Sequence, residues 1–291
     1  MNGMLFDIKE GAIHDGPGLR QTVFLKGCAM RCAWCHNPEG LSRMPELMVS
    51  PNGCAKCGRC RDVCPMGADM IGFGKPPGCV ACGKCVSACP QRIRKIAGEE
   101  ISPEALAARL NENAGYYAGT GGGVTFSGGE PLLQAAFVLE TLPLLNPSTH
   151  KALETSGYGD EEDFLRLMQA FDLIMFDLKS MDDVTHIRYT GVSNRTILGN
   201  ARRLCGGDTP FVIRIPVIPG VNDNDGHYRA VAELIKDAPK LLRVEFLPYH
   251  QTAGAKYGML QLPYKPGFDQ NRSIYVNQEI FTRMGIRSYV L

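Results

Sequence analysis

A predicted strand, Gln21–Lys26, runs directly into the segment Gly27-Cys28-Ala-Met-Arg-Cys32-Ala-Trp-Cys35. Three cysteines at this spacing can hold three corners of a 4Fe–4S cubane, and no fourth cysteine lies at a compatible local spacing. The fourth iron of such a cluster stays open for another ligand, as a catalytic zinc ion keeps one position open. The segment therefore predicts a catalytic cluster held by Cys28, Cys32 and Cys35.

Two other interpretations of this cysteine segment remain open. A zinc knuckle would take His36 as its fourth ligand, although zinc sites usually combine one Cys-x-x-Cys pair with a second, distant pair. A redox-active Cys-x-x-Cys would leave the third cysteine without a role. We favour the open cluster, because S-adenosylmethionine (SAM) can bind the vacant iron through its amino and carboxylate groups.

Short apolar runs alternate with helical patterns over most of the chain. The strands expected are Gln21–Lys26, Val124–Phe126, Lys151–Glu154, Leu173–Asp177, Phe211–Val217 and Val244–Leu247. The helices expected are Ser102–Asn113, Leu132–Leu145, Glu161–Ala170, Asn194–Leu204 and Asp225–Lys236. This alternation indicates a parallel sheet with right-handed crossovers, and six units are fewer than the eight of a closed barrel. We therefore expect an α/β fold, a partial, open (β/α)6 TIM-like barrel, with a doubly wound open sheet as the alternative.

An internal repeat occupies the middle of the chain. Each half reads Cys-x-x-Cys-x-x-Cys-x-x-x-Cys-Pro, beginning at Cys54 and again 25 residues later at Cys79. In bacterial ferredoxins the fourth cysteine of such a run ligates the other cluster. The repeat therefore predicts two 4Fe–4S clusters, one held by Cys54, Cys57, Cys60 and Cys89 and the other by Cys64, Cys79, Cys82 and Cys85. We expect residues 50–95 to form this ferredoxin-like insert and residues 1–49 and 96–291 to form the barrel, with zinc binding by the repeat as a minor alternative.

The charge and the cysteine content narrow the function further. A net charge of +1 argues against nucleic acid or an anionic membrane as a global partner. Neither a secretory leader nor an apolar run of membrane-spanning length is found, so we expect a soluble, cytoplasmic protein. Disulfides are disfavoured in that compartment, and all of the 12 cysteines except Cys205 lie between residues 28 and 89. This crowding indicates metal binding, whereas Cys205 is expected to be an ordinary buried thiol.

The chain resembles the radical SAM superfamily, whose hallmark is Cys-x-x-x-Cys-x-x-Cys with an aromatic residue, here Trp34, before the last cysteine. More narrowly, it is similar to the glycyl radical enzyme activating enzymes of the pyruvate formate-lyase activating enzyme type. Several members of that family carry a ferredoxin-like insert, whereas the shortest members lack it. The matching segments stand in the expected order along nearly the whole chain: Asp15-Gly-Pro-Gly-Leu-Arg20, Gly27-Cys28, Trp34-Cys-His-Asn-Pro-Glu39, Ser127-Gly-Gly-Glu-Pro131, Phe176-Asp-Leu-Lys179 and Leu247-Pro-Tyr-His250.

The resemblance implies a SAM site built at strand ends. Independently of it, Asp177 and Lys179 should point to the same face of their strand. Arg214 lies within an apolar strand and needs a carboxylate partner from the protein or from SAM. The implied cofactor-binding residues are Trp34, Cys35, His36, Gly128, Gly129, Glu130, Asp177, Leu178, Lys179, Arg214 and His250. The resemblance also implies a monovalent cation near Glu154, Thr155, Met175 and Asp177, where the family pattern usually has Asp in place of Glu154.

The resemblance implies, finally, that the chain activates a partner protein. Reductive cleavage of SAM would give a 5′-deoxyadenosyl radical, which would remove a hydrogen atom from a backbone glycine of a glycyl radical enzyme. A low-potential flavodoxin or ferredoxin would supply the electron, and the free protein would be a monomer. The closest alternative is a radical SAM enzyme acting on another peptide or a small molecule. A ferredoxin-type electron carrier is a more distant alternative, because it leaves most of the chain without a role.

Overall fold

The computed structural model describes residues 1–66 and 74–291, so residues 67–73 of the predicted insert lie outside the described part. The strands are β1 (Gly3–Ala12), β2 (Arg20–Leu25), β3 (Glu46–Val49), β4 (Arg94–Ala97), β5 (Glu99–Ile101), β6 (Gly123–Gly128), β7 (His150–Thr155), β8 (Leu173–Asp177), β9 (Phe211–Val217), β10 (Leu241–Pro248) and β11 (Ser288–Val290). The helices are α1 (Arg59–Asp62), α2 (Lys84–Ser87), α3 (Pro103–Asn111), α4 (Ala114–Gly119), α5 (Ala135–Thr141), α6 (Glu161–Ala170), α7 (Asp183–Thr190), α8 (Arg195–Cys205), α9 (Asp225–Ile235), α10 (Ala253–Leu260) and α11 (Glu279–Thr282). Short 3-10 helices lie at Pro38–Gly40, Pro131–Gln134 and Leu142–Leu144.

Nine of these strands form one sheet in the order β11-β10-β9-β8-β7-β6-β2-β1-β5. All six predicted strands are present, as β2 and β6 to β10, and they pair in parallel with one another. β11 extends this parallel array, whereas β1 and β5 add antiparallel at the other edge. The described strands therefore form a mostly parallel sheet with two edges, which is consistent with the expected partial, open barrel.

The structure contains elements that the sequence patterns did not predict. β1 exposes charged residues such as Asp7 and Lys9, so it lacks the apolar run that marks the other strands. α7 is short and rich in β-branched residues, which lower helix propensity. The helix expected over Leu132–Leu145 is α-helical only in α5, because Pro131 and Pro143 lie in 3-10 turns on either side of it.

Helices cover the parallel sheet, and the apolar core lies between the two layers. Phe126 of β6 packs edge-to-face against Phe171, with 5.9 Å between the ring centroids. Phe164 of α6 packs in the same way against Phe176 of β8, at 5.8 Å. All four side chains are buried. This core fixes the strands whose carboxyl ends carry most of the predicted site residues.

The two halves of the cysteine repeat have the same backbone path. Each half places a glycine with a φ of +78° before a four-residue helix, Gly58 before α1 and Gly83 before α2. Two residues earlier in each half, Lys56 and Ala81 also have positive φ values, of 53° and 49°. β3 and β4 pair antiparallel and flank the repeat in sequence. The repeat in the sequence is therefore also a repeat in the backbone.

Candidate active site

A cavity of about 500 Å³ lies where the parallel strands end. Its wall combines the cysteine segment with residues from the carboxyl ends of β6, β7, β8 and β10. The predicted residues that line it are Cys28, Cys32, Trp34, Cys35, His36, Gly128, Gly129, Glu154, Thr155, Asp177, Lys179, Arg214 and His250. The fold thus brings into one cavity residues that are more than two hundred positions apart in the chain.

Three predicted residues lie behind the cavity wall. Leu178 belongs to the main apolar core, and Met175 belongs to a smaller apolar cluster. Glu130 is fully buried and accepts hydrogen bonds from the Ser156 N–H, at 2.9 Å, and from the Thr155 hydroxyl. Burial raises the pKa of Glu130 despite these bonds. Glu130 therefore links the end of β6 to the end of β7 through hydrogen bonds. Its contact with SAM stays a prediction.

The cysteine segment is held in place by α7. The Arg31 N–H donates to the Thr190 carbonyl and the Ala33 N–H donates to the Tyr189 carbonyl, both at 2.8 Å. The Trp34 ring packs against the Tyr189 ring, with 6.4 Å between their centroids. Sequence analysis missed these contacts because it missed α7, and only the tertiary fold brings that helix to the cysteines.

The three thiols of the cysteine segment lie where a free thiolate is unfavourable. Burial raises the pKa of Cys28 and Cys32 to about 12 and that of Cys35 to about 11. The Lys179 ammonium acts in the opposite direction on all three. Since metals bind cysteine as thiolate, loading this site would release protons and would place iron charge beside the thiolates.

The donors around the cysteine segment bear on whether it would hold a cluster or a single metal ion. Over residues 1–66 and 74–291, no three Cys, His, Asp or Glu side chains converge on one ion position. A zinc knuckle needs that convergence, whereas in a cubane each iron takes a single thiolate. His36 lies instead beside two other rings, 6.1 Å from Tyr249 and 6.3 Å from His250 between centroids. The choice between an open cubane and a zinc ion at this segment stays a prediction.

Asp177 and Lys179 form a largely buried ion pair in the cavity. The Lys179 Nζ lies 2.8 Å from the Asp177 Oδ2, which confirms that the two side chains share one face. Burial opposes the charge on Lys179, but Asp177 and the nearby thiols outweigh it and raise the pKa of Lys179. Among the described residues, the buried Asp177 Oδ1 has no hydrogen-bond partner. This oxygen is an unused acceptor of a residue that lines the cavity.

Arg214 has the carboxylate partners that its buried position requires. Its Nη1 donates to Glu154 Oε1 and its Nε donates to Glu245 Oε2, both at 2.9 Å. Its Nη2 donates to the His14 carbonyl, so all three nitrogens of the guanidinium are occupied. Burial opposes the charge on Arg214, but the two carboxylates outweigh it and raise the pKa of Arg214. Sequence analysis missed Glu245. Like Arg214, it is a charged residue within an apolar strand, here β10, and such a residue needs a partner of opposite charge.

Gly129 packs against two other backbone segments. A Cβ atom at this position would lie 2.2 Å from the Gly27 carbonyl oxygen and 2.5 Å from that of Gly40. The preceding residue, Gly128, has a φ of +123°, which favours glycine. The Gly129 N–H already donates to the Leu25 carbonyl at 2.7 Å. The SAM amino group is a donor and needs acceptors, so its expected contact here would use a carbonyl oxygen and stays a prediction.

The cysteines of the repeat line two separate small pockets. Cys54, Cys57, Cys60 and Cys89 line one pocket. Cys64, Cys79, Cys82 and Cys85 line the other. Each pocket thus takes three cysteines from one half of the repeat and one from the other half, in the same two groups that the ferredoxin pattern predicts.

Comparison with known proteins identifies the superfamily. Residues 22–230 match the family model described as the radical SAM superfamily. A solved radical SAM methyltransferase from Sphaerobacter thermophilus has a similar fold, with a TM-score of 0.53 over 94% of this chain and 66% of that chain. That pair shares 15% sequence identity, so the likeness concerns the fold alone.

Several relatives cover nearly the whole chain. The trans-4-hydroxy-L-proline dehydratase activating enzyme of Clostridioides difficile is 38% identical, over 91% of this chain and 90% of that protein. The (2S)-3-sulfopropanediol dehydratase activating enzyme of Klebsiella oxytoca is 36% identical, over 97% and 91%. The isethionate sulfite-lyase activating enzyme of Nitratidesulfovibrio vulgaris is 36% identical, over 89% and 87%. The chain therefore belongs to the radical SAM superfamily and, within it, to the glycyl radical enzyme activating enzymes.

Proposed function

We propose that this protein activates a partner glycyl radical enzyme. The observation that carries the proposal is the single cavity in which the cysteine segment meets the polar ends of the parallel strands. When bound, the cluster and SAM supply reductive cleavage of the sulfonium to a 5′-deoxyadenosyl radical, which removes a hydrogen atom from a backbone glycine of the partner. The open sheet suits this task, because a loop of another protein must reach the cavity.

The residues of the chain would share the work as follows. Cys28, Cys32 and Cys35 would hold the cluster and leave one iron open. Asp177 Oδ1 is the unused acceptor that can receive the SAM amino group, while Lys179 offers positive charge to the SAM carboxylate. The remaining residues of the proposed SAM site are Trp34, Cys35, His36, Gly128, Gly129, Glu130, Leu178, Arg214 and His250.

Arg214 and Glu130 would act on SAM through other groups. The nitrogens of Arg214 are occupied by Glu154, Glu245 and the His14 carbonyl, so Arg214 would fix the cavity wall. Glu130 is enclosed by its own donors and would hold the end of β6 in position. Both residues therefore shape the site more than they contact its ligand.

The partner belongs to a class that the relatives define. Their names place isethionate sulfite-lyase, trans-4-hydroxy-L-proline dehydratase and 4-hydroxyphenylacetate decarboxylase among the enzymes that such activators serve. The identities to these relatives lie between 33% and 38%, so similarity alone selects no single partner. We propose the class of partner and leave its substrate open.

We further propose that the insert at residues 50–95 binds two 4Fe–4S clusters and carries electrons. The support is the grouping of its eight cysteines into two pockets of four. A cluster with four cysteine ligands has no open iron for a substrate, so we expect it to transfer electrons. A low-potential flavodoxin or ferredoxin would supply the electrons, and the catalytic cluster would receive them.

A monovalent cation in the cavity is a separate proposal. Its ligands would come from Glu154, Thr155, Met175 and Asp177. Both Glu154 oxygens already accept hydrogen bonds, from Arg214 at 2.9 Å and from Ser127 at 2.7 Å. The support therefore rests on Asp177, whose Oδ1 is buried without a partner among the described residues.

We also place the protein in the cytoplasm, as a monomer when its partner is absent. None of the cysteines is paired in a disulfide, which is what we expect for a protein of a reducing compartment. Within residues 1–66 and 74–291, no helix has both the length and the apolar character that a membrane span requires.

The activation proposal is tested with anaerobically reconstituted, reduced protein. We expect 5′-deoxyadenosine and methionine to form from SAM, and a glycyl radical EPR doublet to appear when the correct glycyl radical enzyme is added. The matched control is the same partner with its radical glycine replaced by alanine. SAM cleavage without a doublet for any candidate partner would favour the alternative of another peptide or small molecule as substrate. No SAM cleavage by protein that carries about twelve irons would exclude the enzyme and leave the electron carrier.

A further inference from the structure

Glu39 is a buried carboxylate that closely follows the cysteine segment. It ends the motif Trp34-Cys-His-Asn-Pro-Glu39, and 2% of its surface is exposed. Lys256 of α10 pairs with it, with 2.6 Å between Nζ and Oε1. The second carboxylate oxygen, Oε2, is buried and has no hydrogen-bond partner among the described residues. A buried charge is costly unless it is paired, so Glu39 depends on Lys256.

The same lysine holds a second residue of this motif. Lys256 Nζ also donates to Asn37 Oδ1, at 2.8 Å. Asn37 lines the cavity, and it follows the last cysteine of the segment, Cys35, by two positions. One ammonium group therefore fixes the chain at two points just beyond the cysteine segment.

The turn at residues 37–41 closes the cysteine segment at its other end. The Gly27 N–H donates to the Gly40 carbonyl at 2.8 Å. The Cys28 N–H donates to the Leu41 carbonyl at 3.1 Å. Because the same turn follows the segment directly in the chain, it joins the two ends of the segment. Whatever holds this turn therefore also holds the three thiols.

The helix that carries Lys256 is anchored outside the cysteine segment. Leu260, one turn further along α10, is fully buried and packs with Met48 of β3 and Ala97 of β4. These two strands pair with each other, so α10 packs against regular structure that does not depend on the segment. A side chain on such an element can hold a site in position before its ligand binds.

We propose that Lys256 is a positioning residue for the catalytic site, and that its bonds to Glu39 and Asn37 hold the cysteine segment in the geometry that receives SAM. The inference rests on the proposed function for the identity of this ligand. A loose segment would have to become ordered when SAM binds, and this ordering would weaken the binding. Lys256 should therefore act on the affinity for SAM and leave the chemical step nearly unchanged.

The first test measures hydrogen exchange in the full, reconstituted chain without SAM. In Lys256→Gln the amides of residues 27–41 should exchange about tenfold faster than in the wild type, while β6 to β9 keep their protection. Lys256→Arg keeps the positive charge and should recover most of the protection. Lys265→Gln is the matched control, because it removes an exposed positive charge that follows α10, and it should change nothing.

The second test measures 5′-deoxyadenosine formation by the same reduced proteins over a range of SAM concentrations. Lys256→Gln should raise the KM for SAM about tenfold and change kcat by less than about twofold. Lys256→Arg should lie close to the wild type. A purely structural role would reduce the amount of active enzyme, and so kcat, with KM unchanged.

Each other outcome counts against the inference. Unchanged exchange and KM in Lys256→Gln, equal effects in Lys265→Gln, or a lower kcat at unchanged KM would overturn it. If Lys256→Gln loads iron poorly, the double variant with Glu39→Gln serves, because it leaves no unpaired carboxylate; loss of the cluster there too would make the pair a requirement for loading and overturn the positioning role. Wild-type protein that cleaves no SAM would end the proposed function, while the exchange measurement would still decide this inference.

Discussion

The cysteine segment at residues 28–35 and the cysteine repeat at residues 54–89 hold their thiols by different means. The segment lies between β2 and α7 and is backed by the large core of the barrel, with Cys32 and Trp34 buried within it. In the described part of the repeat, a small apolar cluster lies beside the cysteines, in which the buried members are Leu47, Val49 and Cys85. We therefore expect the folded chain to present the first site without iron, whereas the proposed clusters would complete the core of the second.

The largest expected effect is the loss of the cluster at the cysteine segment alone. Cys32→Ala should abolish SAM cleavage, because two thiolates cannot hold the open cubane, while about eight irons remain in the insert. Iron analysis and the yield of 5′-deoxyadenosine measure the two results. Cys205→Ala is the control, since this thiol lies outside both regions and should leave iron content and cleavage intact. Retained cleavage in Cys32→Ala would mean that the cluster has other ligands.

A second experiment removes the metal from both regions and compares how the cysteine segment and the cysteine repeat depend on it. Iron-free protein should lose the hydrogen-exchange protection of α1 and α2, while β6 to β9 keep theirs, because only the insert depends on metal for its core. The reconstituted protein is the control, measured at the same pH and temperature. Equal protection of the insert with and without iron would show that its apolar cluster is sufficient by itself.

A third, smaller effect concerns the charges that support the first region. Glu245→Gln leaves Arg214 without one of its two carboxylates and should lower the free energy of unfolding by about 3 kcal/mol. Urea denaturation under anaerobic conditions measures the change. Glu161→Gln is the matched control, because the exposed pair of Glu161 with Arg203 should contribute less than about 1 kcal/mol. Similar losses in the two variants would contradict a special role for the buried pair.

The sequence predicted those parts of the molecule whose signals are local. The six parallel strands are apolar runs, and the two groups of cysteines in the insert follow from their spacing. The missed parts depend on contacts between distant segments. β1 carries exposed charged residues and therefore lacks the apolar pattern of a strand. The role of Glu245 follows only from its ion pair with Arg214 on the neighbouring strand. Glu130 is a different case: its motif suggested a ligand contact, the fold encloses it behind the cavity wall, and its contact with SAM stays a prediction.

The crowding around Gly129 has a consequence for how this protein can change over evolutionary time. The residue joins three chain segments: the end of β6, the start of the cysteine segment at Gly27 and the 3-10 turn at Gly40. A single added carbon atom would push the cysteine segment away from the strand ends that form the rest of the cavity. Any residue larger than glycine at position 129 would therefore have to displace backbone, so we expect this junction to admit almost no substitution.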